Sequence, residues 1–145
     1  GGTMGPEAVV EMGTGELRFE PLAPMQAVEL AHGAQGLWHV WMSLRASDLD
    51  PVQATLEITT VIAGTERGSR APVTLKPETP AGDSLVIVGW PVVIANPETL
   101  DGKVIRIDAT LTDRAGQSGS DGRDLVVRWT SVRQQEIPSE IGETQ

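Results

Sequence analysis

At 145 residues, with 39% of them hydrophobic, the chain has the size of one domain and the means to build a core without covalent staples. Its net charge of −9 argues against nucleic acid and anionic lipid as partners, and the absence of cysteine excludes disulfides, thiolate metal sites and thiol nucleophiles. No run approaches the roughly 20 apolar residues that a membrane-spanning helix needs.

Residues 1–15, with five glycines and little apolar periodicity, read as a flexible leader or, through Ala8 to Met12, a short edge strand. Order is expected from Glu16 to residue 133. Leu17 and Phe19 alternate with Arg18 and Glu20 as a first strand, which Pro21 and Pro24 interrupt. Such a break suits a strand divided between two sheets or held at an edge. After a turn at 32–36 comes Trp38 to Arg45, the segment around which the rest is organised. A period of two puts Trp38, Val40, Met42 and Leu44 on a core face and His39, Trp41, Ser43 and Arg45 on the other.

Val52 to Ala63 is a long half-buried strand with Ala54, Leu56, Ile58 and Ile62 facing inward. A charged loop is expected over 64–70, a short edge strand over 72–75 and a further loop over 76–82. Ser84 to Ala95 is apolar on both faces, and Trp90-Pro91 predicts a bulge or kink there, since proline gives no ladder donor. Ile105, Ile107, Ala109 and Leu111 form another inward face, a polar turn is expected over 113–122, and Leu125, Val127 and Trp129 make the final strand. Residues 134–145, rich in glutamate and nearly free of core residues, read as a flexible tail.

Leu100-Asp-Gly-Lys-Val-Ile-Arg-Ile-Asp-Ala-Thr-Leu-Thr-Asp-Arg-Ala-Gly116 followed by the final strand resembles the last hairpin of bacterial immunoglobulin-like and fibronectin type III-like modules. The chain lacks the tyrosine of the tyrosine corner and the Cys–Trp–Cys pattern of antibody domains, so the resemblance is one of architecture. With strands at roughly ten-residue intervals and no sustained helical period, the expected fold is all-β, a two-sheet antiparallel immunoglobulin-like β-sandwich of about seven to eight strands. The resemblance implies a non-catalytic binding or structural module of a bacterial exported or cell-envelope protein, extracytoplasmic, working through protein–protein contact.

Enzyme chemistry is poorly provided for. His32 and His39 have no motif partners, and the serine of Gly116-Gln-Ser-Gly119 has no histidine near it in sequence, so no catalytic residue and no cofactor is expected. The expected binding residues are Trp41 with His39 and Arg45 at its rim, covered by residues 1–15 or by another chain, because an outward tryptophan leaves a large apolar surface. A carbohydrate platform on Trp41 is a weaker alternative in a chain so poor in aromatics. The rival class is a metal-binding domain. Asp101, Asp113 and Asp121 offer hard oxygen ligands for calcium, while His32, His39, Met42 and Met25 are ligand types that suit copper. Against these stand the usual roles of Asp-Gly as a turn former and of methionine as core filler.

Overall fold

The computed structural model describes residues 8–32, 37–78 and 84–129. Its strands are β1 (Val9–Thr14), β2 (Glu20–Pro21), β3 (Ala27–Glu29), β4 (Ala31–His32), β5 (Trp38–Ser47), β6 (Ala54–Ile62), β7 (Thr65–Val73), β8 (Lys76–Pro77), β9 (Leu85–Ile94), β10 (Val104–Thr112) and β11 (Ser118–Arg128). One turn of 3-10 helix at Pro97–Thr99 joins β9 to β10. Seven of the strands have six residues or more; the other four are edge fragments of two or three. No helix among the described residues is long and apolar enough to cross a membrane. The leader residues 1–7, much of the turn at 32–36, part of the loop at 76–82, residues 130–133 and the tail 134–145 lie outside the described residues.

Two sheets share the chain. The first has the order β2-β1-β5-β9-β8, with β4 also on β5, and the second has the order β3-β11-β10-β6-β7. The alternating residues of β5, β6 and β10 fall as their period demands: Val40, Met42, Leu44, Leu56, Ile58, Ile105, Ile107 and Leu111 belong to one buried cluster between the sheets. Trp38 and Trp129 lie at its margin, partly buried and edge to face at 5.9 Å. The prolines at 21 and 24 mark a change of sheet, since β2 pairs with β1 and β3 with β11. That crossing brings β3 alongside β11 in the same direction, with Val28 opposite Val127. The second sheet is therefore mixed, where an entirely antiparallel pair of sheets was expected.

Several polar segments are strands rather than loops. The supposed charged loop at 64–70 is most of β7. Ala63 and Gly64 both have positive φ, 51° and 81°, the requirement of a type I′ two-residue hairpin, and this returns the chain in register from Ile62↔Thr65 to Ala54↔Val73. Being an edge strand, β7 needs little apolar surface, and its composition hides its pairing. The polar stretch from Ser118 to Asp124 likewise belongs to β11, laddered on β10 throughout. The turn itself is short, with Gly116 N–H donating to the Asp113 carbonyl at 2.9 Å.

At the start of the chain, β1 pairs with β5 from Val9↔Ser47 to Gly13↔Ser43, and Met12 is fully buried. The packed domain thus begins ahead of Glu16. Ahead of its short pairing with β2, the other edge of β1 runs against β11, where a side chain at Gly119 would sit 2.5 Å from the Ala8 carbonyl oxygen. Only glycine permits that approach. There the Met12 N–H, unpaired by any strand, donates to Asp121 Oδ2 at 2.8 Å.

Candidate functional site

The outer face of the first sheet carries the residues singled out on β5. Its cross-strand neighbours are set by register: Trp41 lies opposite Pro91 and His39 opposite Val93, both on β9. Pro91 does not interrupt β9. The β1 pairing leaves Trp41 directing its backbone groups away from β9, and its carbonyl accepts the Thr14 hydroxyl at 2.9 Å. Pro91 is accordingly in a non-hydrogen-bonded pair with Trp41, and its missing donor falls on the free edge of the sheet. The irregularity expected at Trp90-Pro91 lies just before it, between Met42 and Leu44 on β5, where Gly89 takes φ of 68° opposite Ser43.

That bulge anchors a strap. Residues 15–19 cross the outer face of the sheet, so Leu17 to Phe19, expected to open the first strand, form no strand. The Gly15 carbonyl accepts hydrogen bonds from Ser43 Oγ at 3.1 Å and from the Gly89 N–H at 3.2 Å. Phe19 is buried, with the Arg45 guanidinium carbon 4.2 Å from its ring centre. Arg45 Nε and Nη2 also donate to the two carboxylate oxygens of Glu78, each at 2.9 Å, and Glu11 lies 3.6 Å away. So Arg45 is an internal fastener of β1, the strap and the segment before β9. The alternation at Leu17 and Phe19 resolves differently as well: Phe19 packs on the outside of the sheet, and Leu17 is 86% exposed.

The strap covers Ser43 and Arg45 and stops short of Trp41. His39 is buried, its ring edge to face with Trp41 at 4.2 Å, and its Nε2 has no hydrogen-bond partner among the described residues. Burial lowers its pKa from the usual 6.5, and the nearby Glu16 carboxylate partly opposes that shift. Beside it Trp41 is half-buried, Pro91 exposed and Val93 54% exposed. Trp41, Pro91 and Val93 therefore present an apolar surface, with the buried His39 beneath it, that neither the strap nor any other described segment closes. Pro91 and Val93 were missed from the sequence, although their alternation with buried Val92 and Ile94 is the period of an open face.

The candidate calcium ligands are not brought together. Asp101 precedes β10 and Asp113 follows it, so the whole length of that strand separates them. Asp121 sits midway, opposite Ala109. Each carboxylate is engaged by backbone amides: Asp101 Oδ1 by Trp129 at 3.0 Å, Asp113 Oδ1 by Ala115 and Gln117 at 2.9 Å, and Asp121 Oδ2 by Met12. The copper set is dispersed too. His32 stacks on Trp38 at 4.5 Å, His39 and Met42 lie on opposite faces of β5, Met42 is in the core and Met25 is exposed. No cluster of three or more metal-ligating side chains occurs among the described residues.

No protein-family model matches the chain, and no curated protein matches it.

Proposed function

We propose that the chain is a non-catalytic, immunoglobulin-like β-sandwich module of an extracytoplasmic bacterial protein, and that it works by protein–protein contact through the outer face of its first sheet. The uncovered apolar patch of Trp41, Pro91 and Val93, adjacent through the β5–β9 register, is the observation that carries this reading. An apolar patch flanked by polar residues, with an amphipathic tryptophan in it, is the composition that protein interfaces favour. The immunoglobulin-like assignment draws on the hairpin of residues 100–129 and on seven longer strands in two sheets around one core. The extracytoplasmic setting follows from that resemblance alone. The partner is another protein or a second copy of the chain. Because Arg45 is bound internally, the contact is centred on Trp41, Pro91 and Val93.

The test is to carry Val93→Glu and Trp41→Ser through sedimentation and through capture of partners from an envelope extract. Both variants should keep the wild-type unfolding midpoint to within about 1 kcal/mol of stability, as surface changes do. Both should lose self-association or capture. Retention of every interaction by both variants would dismiss this face as the contact surface.

A further inference from the structure

The two sheets part along one margin. β8 borders β9 only at Leu85 and Val86, and β7 has β6 as its one neighbour. The inner side of β7 therefore faces the Trp90–Ile94 half of β9 across an open cleft of about 480 Å³, within the range of small-molecule sites, roughly 300–1,000 Å³. Ile58 and Ile62 line it from one sheet, Trp90 and Val92 from the other, and Leu100 is also in its wall. The cleft is thus apolar on both sides.

Its polar groups are concentrated on one wall. Register puts Thr60 directly opposite Arg67 and Ile58 opposite Ser69, so Arg67 and Ser69 share the inward face with Thr60. Thr60 is a buried polar residue, and its side chain lines the cleft. No carboxylate among the described residues pairs with Arg67. Arg70, three residues on and facing the outer side, has Glu57 at 3.8 Å. An unpaired cation on a chain of net charge −9 is a local reversal of the field, and here it stands over an apolar cleft. An inward charge on an edge strand also discourages strand-to-strand aggregation. That role does not require an apolar cleft behind the charge, nor a hydroxyl opposite it.

We propose that this cleft binds a small anionic amphiphile, an alkyl or aryl carboxylate or sulfonate. The apolar body lies between Trp90 and Val92 on one side and Ile58 and Ile62 on the other. The head group accepts hydrogen bonds from the Arg67 guanidinium, with the Thr60 hydroxyl beside it. Pro91 and Val93, on the free edge of β9, border this cleft as well as the outer face, whereas Trp41 does not line it.

Decanoate and 8-anilinonaphthalene-1-sulfonate are suitable probes, followed by titration calorimetry and by tryptophan fluorescence. Saturable binding of one molecule per chain is expected, with mutual competition. Arg67→Gln should weaken both roughly tenfold, the scale of one charge-assisted hydrogen bond, while Arg70→Gln leaves them unchanged. Decanol, with the same chain length and no charge, should bind wild type and Arg67→Gln alike. Ile62→Trp should occlude the cleft and abolish binding, its melting curve reporting that the fold persists. Absence of saturable binding by either probe, or equal affinity of wild type and Arg67→Gln for both, would overturn the proposal. Because Trp41 does not line the cleft, loss of binding in the Trp41→Ser variant with Arg67→Gln unaffected would place the probes on the outer face and overturn it equally.

Discussion

Replacing Asp113 by alanine should remove a lock between two distant loops. Asp113 is only 7% exposed, and its carboxylate accepts three backbone amides at 2.9 Å: those of Ala115 and Gln117 in its own turn, and that of Asp50 between β5 and β6. Asp50 answers by accepting Arg114 Nε, also at 2.9 Å. A hydrogen bond to a charged group is worth about 1.5–3 kcal/mol, and the three are not independent, so Asp113→Ala should cost about 3–4 kcal/mol. Asp113→Asn keeps one oxygen for its own turn but sets an amide donor against the Asp50 N–H; about 2 kcal/mol is expected.

Urea unfolding at several pH values reads both losses. The amide bonds, that of Asp50 foremost, hold the Asp113 pKa below its usual 3.8, with burial opposing them. A depressed carboxylate contributes stability that is fully present above the unfolded pKa and is lost as pH falls through the folded one. Wild type and Asp113→Asn should therefore differ most at neutral pH and converge in strong acid. A loss below 1 kcal/mol for Asp113→Ala at neutral pH, or a gap for the asparagine variant that persists undiminished in acid, would refute this reasoning.

Three further outcomes are expected. Ala63→Asn should stabilise the protein by about 1 kcal/mol in thermal or urea unfolding, because Ala63 holds a left-handed φ of 51° that asparagine tolerates better. Gly89→Ala should destabilise by about 2 kcal/mol or more in urea unfolding; φ is 68°, and a Cβ would lie 2.5 Å from the Glu16 carbonyl oxygen, so the strap must lift. His39, whose pKa is lowered, binds its proton in the unfolded chain before the folded one as pH drops below 6.5, so wild type should lose stability on acidification from neutral pH. His39→Gln should flatten that part of the stability profile.

How much could be read from the residues depended on whether a face was buried. The strands β5, β6 and β10 each bury one face, so alternation assigned Met42, Leu56, Ile107 and their neighbours correctly to the core. β7 and the first half of β11 are held by backbone ladders and carry few apolar side chains, which leaves period and composition with nothing to detect. Phe19 shows the opposite failure. It is buried as an apolar residue should be, but on the outside of a sheet, beneath a strap whose anchors Ser43 and Gly89 lie far along the chain. On the candidate surface, Trp41 was legible as the large residue opposite the core face. Its neighbours Pro91 and Val93 required the register of β9, which a bulge shifts by one residue. Arg45 appeared available as a rim residue because neither Glu78 nor Phe19 is near it in sequence.

The central claim, that the outer face of the first sheet is the contact surface, can be addressed through the absence of native cysteine. A single thiol introduced as Val93→Cys, carrying a benzophenone maleimide, would report which molecules touch that face on illumination. Ser120→Cys, exposed on the outer face of the other sheet, provides the reference. A discrete protein adduct from position 93, absent or much weaker from position 120, is the predicted result. Equal adducts from both positions, or one from position 120 alone, would contradict it.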